Sequence, residues 1–155
     1  LFYRARRNLM NKKVLVAVVV QKMVDSEVSG VCFTVHPVTK DKNQMVVEAC
    51  WGLGEILVQG KITPDSYVIG KSNLKISDVN KNPQKEMIVR SKNETRTFLV
   101  PKIKRKQQKL SEKQIKELAR ICIKVENHYK SPQDLEWTLE RNKFYIVQTR
   151  PITAL

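Results

Sequence analysis

The last stretch of the chain, Asp134 to Ile152, constrains the fold most. Leu135, Trp137 and Leu139 alternate with Glu136, Thr138 and Glu140, the two-residue period of a strand with one buried face. Arg141-Asn142 follows, and asparagine tolerates the left-handed backbone of a tight turn. Phe144 to Thr149 reads as the return strand, and Arg150-Pro151 closes it, because proline has no N–H to give to a ladder. The stretch therefore predicts a β-hairpin over about 134–150.

The hairpin's faces can be assigned from a turn centred on Asn142, in a three-residue or bulged form. Glu136 and Gln148 each lie six positions from that centre, so they are expected directly opposite one another, at about 4.5–5.5 Å between Cβ atoms. On this reading Glu136 shares a face with Phe144, Ile146, Gln148 and Arg150. Tyr145 and Val147 fall on the other face with Leu135, Trp137 and Leu139. A carboxylate and an amide oxygen at that spacing suit one hard cation, and an arginine one step along suits a phosphate. The plainer reading of the same pattern is the solvated face of an ordinary hairpin.

A second feature is the run from Lys13 to Val24, with V-L-V-A-V-V-V at its centre. Continuous β-branched residues predict a strand buried on both faces, running out into the segment Gln21 to Val24. Further strands are expected at Val31–Val35, Gln44–Ala49 and Ser66–Ile69, with strand-like pieces at Leu74–Ile76, Met87–Arg90 and Thr97–Val100. Glu55 to Gln59 has room for one or two helical turns. Ser111 and Gln114 form a capping box, and Ile115, Leu118, Ala119, Cys122 and Val125 recur at helical spacing. One long helix is expected over about 111–130, stopped before Pro132. The class is α+β.

At 155 residues the chain has the length of one domain with a real core. It is read as a single domain over 1–155, with 1–12 as a lead-in segment and the whole as part of something larger. No apolar run reaches the roughly 18 residues of a membrane span. Cys32, Cys50 and Cys122 lack metal-binding spacing and predict reduced core residues of a cytoplasmic protein. The net charge of +14 admits a polyanionic partner. Basic residues cluster at 4–13 and 102–109, but no aromatic residues interleave them as a single-strand nucleic-acid surface requires. Nucleic acid is therefore not the expected partner, although a basic nucleic-acid module and a non-catalytic interaction domain stand as alternatives of another class.

Five motifs occur in order: Gln21-Lys22-Met23-Val24 after the valine run, Gly30-Val31-Cys32-Phe33-Thr34-Val35-His36-Pro37-Val38-Thr39, Trp51-Gly52-Leu53-Gly54-Glu55, Gln59-Gly60-Lys61-Ile62-Thr63-Pro64-Asp65, and Val147-Gln148-Thr149-Arg150-Pro151. Together they resemble the nucleotide-binding domain of the phosphoenolpyruvate synthase (pyruvate, water dikinase) family, and equally that of rifamycin phosphotransferases. The resemblance implies the second, C-terminal lobe of an ATP-grasp fold, with a mixed or antiparallel sheet. It implies ATP and Mg²⁺ as ligands. Gln21, Lys22, Met23 and Val24 would then line the adenine and ribose end. Glu136 and Gln148 would hold Mg²⁺ and nucleotide, and Arg150 would contact the polyphosphate as the catalytic, charge-neutralising residue.

The same resemblance implies a parent enzyme that passes a phosphoryl group from ATP through a phosphohistidine to pyruvate, or to a rifamycin hydroxyl. A first ATP-grasp lobe, a phosphohistidine domain and an acceptor domain are the implied partners, and the 155 residues alone are expected to be inactive. His36 reads as a loop residue near the phosphates. Glu48, Glu55 and Gln59 are second-rank candidates, and Gly52 and Gly54 read as turn-formers, because G-x-G by itself is weak.

Overall fold

A computed structural model describes residues 17–92 and 94–153. In chain order the elements are β1 (Val28–Phe33), β2 (Gln44–Trp51), the single turn α1 (Glu55–Val58), β3 (Asp65–Gly70), β4 (Ile76–Asn80), β5 (Glu86–Ser91), β6 (Glu94–Leu99), α2 (Glu112–Tyr129), β7 (Gln133–Glu140) and β8 (Lys143–Pro151). Six strands form one sheet in the order β4-β3-β2-β1-β7-β8, and β5 and β6 form a separate ribbon. Every adjacent pair is antiparallel. The architecture is the expected α+β one, a sheet with one long helix and a terminal hairpin, consistent with an ATP-grasp-type domain.

α2 covers one face of the sheet. Ser111 caps it: its hydroxyl accepts from the Gln114 N–H, and the Gln114 side chain accepts from the Ser111 N–H. Two N–H groups that the first turn leaves open are thereby satisfied. Lys130 ends the helix in the left-handed conformation, at φ 55°. The buried stripe Ile115, Leu118, Ala119 and Cys122 packs against Cys32, Val47, Tyr67, Leu135 and Trp137 from the sheet. Phe144 meets Trp137 edge-on, with ring centroids 5.7 Å apart. This aromatic pair closes the core at the hairpin end.

Between β6 and α2 the chain is tied to the sheet by a buried ion pair. Lys109 and Asp65 have fully buried side chains, with Nζ 2.7 Å from Oδ1. Asp65 also accepts from the N–H groups of Asn82 and Lys109 and from the Tyr67 hydroxyl, and Lys109 Nζ donates to the Asn82 carbonyl. A buried charge is tolerable only when so fully paired. Gln84 performs a similar service without charge, accepting from the Trp51 N–H at 2.8 Å and donating to its carbonyl at 3.0 Å.

Three expectations are corrected. Residues 17–24 are not a buried strand: they form no ladder, and Val18, Val19 and Val20 are 83%, 83% and 95% exposed. A strand buried on both faces needs cover from both sides, and no described element stands over this run. Residues 13–16 of that strand and the 1–12 lead-in lie outside the described residues. The strand-like piece at Leu74–Ile76 begins only at Ile76, because Leu74 takes a left-handed φ of 54° in the preceding turn.

The third correction lies in the hairpin. Glu140 pairs with Lys143 around a two-residue turn in which Arg141 and Asn142 both have positive φ (49° and 60°), the geometry that matches strand twist. The extra residue sits further along, where Glu136 pairs with Gln148 but Trp137 pairs with Ile146. Val147 is therefore a bulge. Phe144 and Ile146 consequently lie with Leu139 and Trp137 on the helix side, not beside Glu136, while Tyr145 pairs with Thr138.

Replacing Lys109 by Met strands the Asp65 carboxylate without its counter-ion. Urea denaturation should show a loss of about 3–5 kcal/mol; a loss below about 1 kcal/mol would mean that the pair is dispensable.

Candidate functional site

The sheet face opposite α2 carries the site. Along one row, Ser66 of β3, Glu48 of β2, Val31 of β1, Glu136 of β7 and Gln148 of β8 are successive cross-strand neighbours. Glu136 and Gln148 are thus directly opposed. One row further along, Asp134 pairs with Arg150, which places Arg150 on the same face. The bulge makes this possible: if Val147 paired in regular register with Glu136, Gln148 would fall on the other side of the sheet.

Glu136 borders a cavity of about 700 Å³. Gln21, Lys22, Met23 and Val24 form one wall, joined to the hairpin where the Gln21 amide donates to the Val147 carbonyl at 3.3 Å. Leu53, Leu57 and Val58 around α1 form the opposite wall, with Val31 and Thr138 on the floor. The cleft's surface is mostly apolar, with a few polar groups among its lining. Gln148 and Arg150 are not on its lining. Arg150 borders a separate cavity of about 320 Å³, together with Asp134, Lys40 and Phe33.

The site is therefore a strip that begins at the cleft and continues through Glu136 and Gln148 to Arg150. Asp134 holds the guanidinium: Nε and Nη2 lie 2.8 and 2.7 Å from the same Oδ2. This contact raises the Arg150 pKa above its ordinary value, with the Asp134 hydrogen bond as the largest cause. Asp134 was not among the sequence candidates, although D-x-E alternation puts it on the face of Glu136. Ser26 and Ser29 were missed for a better reason. Their hydroxyls both donate to the Gly52 carbonyl at 2.7 Å, a contact between segments that no local pattern announces.

That contact shapes the cleft wall. Gly52 has φ +81°, and a Cβ there would lie 2.3 Å from the Ile88 carbonyl oxygen. Glycine is required, and Gly52 is a turn-former as expected. Behind it, Ile56 packs on Cys50 and Ile88, so the β5–β6 ribbon supports α1. Glu55 and Gln59 both border the cleft and are hydrogen bonded to each other at 2.9 Å.

His36 is occupied locally: its Nδ1 accepts from the N–H groups of Val38 and Thr39. In the second basic cluster, Lys109 is buried in its ion pair, Lys104 lies 5.6 Å from the centre of the Trp51 ring, and Arg105 donates to the Val100 carbonyl. These three side chains are committed within the chain.

Among the described residues, no three His, Cys, Asp or Glu side chains converge as a complete metal cage. Glu136 with Gln148 is a two-donor set, one anionic and one neutral oxygen, and it suits a cation that takes its remaining ligands from phosphate and water. Glu48, two strands from Glu136 in the same row, has its pKa raised by burial.

The chain belongs to a family of nucleotide-binding domains, the one described as pyruvate phosphate dikinase, AMP/ATP-binding domain, whose model matches residues 1–155. It is 44% identical over its whole length to a probable phosphoenolpyruvate synthase of Methanocaldococcus jannaschii, 13% of which it covers. To the phosphoenolpyruvate synthase of Pyrococcus furiosus it is 41% identical over 99% of the chain and 20% of that protein. The rifampicin phosphotransferase of Bacillus subtilis is 36% identical over 99% of the chain and 18% of that protein. The chain thus spans a fifth or less of these relatives.

A pH experiment checks the placement of Glu48. Its folded pKa is above the ordinary 4.5, so the protonated form is favoured by folding. The cost of ionising it appears as pH rises through the folded value. Glu48→Gln should raise the melting temperature at pH 7, and the gain should vanish below about pH 4.5. An equal shift at both pH values would remove burial as the cause.

Proposed function

We propose that this chain is the ATP- and Mg²⁺-binding second lobe of an ATP-grasp domain in a multidomain phosphotransferase. The observation that carries the reading is the continuity of the cleft with the Glu136–Gln148–Arg150 strip on one sheet face. In this reading the adenine lies between Met23 and the Leu53–Leu57 wall, and the backbone of Gln21 to Val24 meets its polar edge. The polyphosphate runs over Glu136 toward Arg150. Glu136 and Gln148 would hold Mg²⁺, which when bound supplies positive charge against the phosphate oxygens. Arg150, held in place by Asp134, donates its free N–H groups to the transferred phosphate, where positioned charge stabilises the transition state.

The parent enzyme then moves the phosphoryl group through a phosphohistidine to an acceptor, and ATP ends as AMP and phosphate. Pyruvate is the favoured acceptor, since the phosphoenolpyruvate synthases named above are 41–44% identical and the rifampicin phosphotransferase is 36% identical. The first lobe, the phosphohistidine domain and the acceptor domain belong to the rest of that chain, and the enzyme works in the cytoplasm. The exposed valines at 18–20 find their cover against the first lobe.

Two measurements test this. In the parent enzyme, Glu136→Gln, Gln148→Ala and Arg150→Ala should each slow phosphorylation of the carrier histidine, by about 10²–10³ for Glu136→Gln. The acceptor half-reaction, started from phosphorylated histidine, should continue nearly unchanged. A Glu136→Gln enzyme that phosphorylates its histidine at the normal rate overturns the assignment. Calorimetry on the 155 residues alone should give weak ATP binding or none, and micromolar affinity would mean that one lobe suffices.

A further inference from the structure

The two cysteines under α2 belong to no part of the site above. Cys32 lies on β1 and Cys122 on α2, and both are completely buried in the same core cluster. Their relative position follows from the fold. A short turn joins α2 to β7, so the helix runs back along β7. Because β7 is antiparallel to β1, α2 runs in the same direction as β1.

One contact sets the helix–strand register: the Thr34 hydroxyl donates to Glu126 Oε1 at 3.1 Å. One turn back along the helix from Glu126 is Cys122, a rise of about 6.0 Å. Two residues back along the strand from Thr34 is Cys32, a rise of about 6.6 Å. Cys122 and Cys32 therefore face one another across the helix–sheet interface. Consistent with this, the Cys32 pKa lies well above its ordinary value, with the neighbouring Cys122 side chain as the first cause and burial as the second.

On the helix the adjoining buried residue is Ala119, and on the sheet Cys32 stands between Val47 and Leu135 in the same core cluster. Cys50 cannot compete. It pairs with Ser29 on the other face of the sheet, with its sulfur 3.5 Å from the Ser29 hydroxyl, and burial pushes its thiol up to about 11.

We infer that Cys32 and Cys122 are a specific oxidisable pair that closes a disulfide between α2 and β1. With a small disulfide such as oxidised glutathione as oxidant, one protein thiolate attacks its S–S bond, forms a mixed disulfide and releases one glutathione thiol. The second cysteine then displaces the other. Two protein S–H bonds are lost, one protein S–S bond forms, and both protons and both electrons leave on two reduced glutathiones. Because both thiols are buried, the first step waits on local opening of α2. Once closed, the bond ties the helix layer to the strand whose Val31 stands directly beside Glu136.

The test uses the unmodified chain with oxidised glutathione just below its melting temperature, followed by intact mass and a non-reducing tryptic map. Cys32, Cys50 and Cys122 fall in different tryptic peptides. The expected result is loss of two hydrogens, no retained glutathione and a cross-link joining the Cys32 and Cys122 peptides. The melting temperature should rise, and dithiothreitol should reverse the rise. Free, alkylatable Cys32 and Cys122 after this treatment would overturn the inference. So would a stable glutathione adduct on either, or a cross-link to Cys50.

Discussion

The ion pair of Asp65 and Lys109 is the contact on which the helical layer depends. Lys109 stands two residues before Ser111, the cap of α2, so the start of the helix is anchored where the lysine finds its carboxylate. Asp65 heads β3, and its other donors come from Asn82 after β4 and from Tyr67 in the core. One carboxylate thus joins a strand, the connection after its neighbour and the start of the helix. At the other end of α2, Glu126 accepts from the Thr34 hydroxyl and pairs with Lys71. A buried charge has only one low-energy position, because desolvation penalises every other.

With α2 committed to one face, the other is left for chemistry. The side chains that meet there alternate with the core residues of the same strands: Glu136 between Leu135 and Trp137, Val31 between Gly30 and Cys32. A site built this way inherits the rigidity of the sheet, which is what charge-stabilising groups need in order to be in place before the reaction. The Gly52 turn, held by two serine hydroxyls and closed to any side chain, extends that rigidity into the cleft wall.

The bulge at Val147 shows how little separates a site from its absence. The two-residue turn fixes the hairpin's pairing near Glu140, and one inserted residue shifts the remainder so that Gln148 and Arg150 return to the face of Glu136 and Asp134. The same insertion brings the Val147 carbonyl to the Gln21 amide. The opposition of Glu136 to Gln148 and the Gln21–Val147 contact therefore both sit at one backbone irregularity.

Alternation in residues 135–140 and helical spacing in 115–125 were enough to determine the terminal hairpin and the long helix with its cap. Each depends on neighbours within a few positions, where local geometry dictates the outcome. The faces of Phe144 to Val147 were not legible, because a turn-plus-bulge and a longer turn place Gln148 identically while inverting everything between. Nor was the exposure of residues 17–24, since a valine run describes what would cover it and not whether the cover is present. Only the tertiary structure decided that Asp134 would hold Arg150, that Ser26 and Ser29 would pin Gly52, and that Lys109 would be buried. Those are contacts between groups separated by 16 to 44 positions, and their energy appears only once the chain has brought them together and taken them out of water.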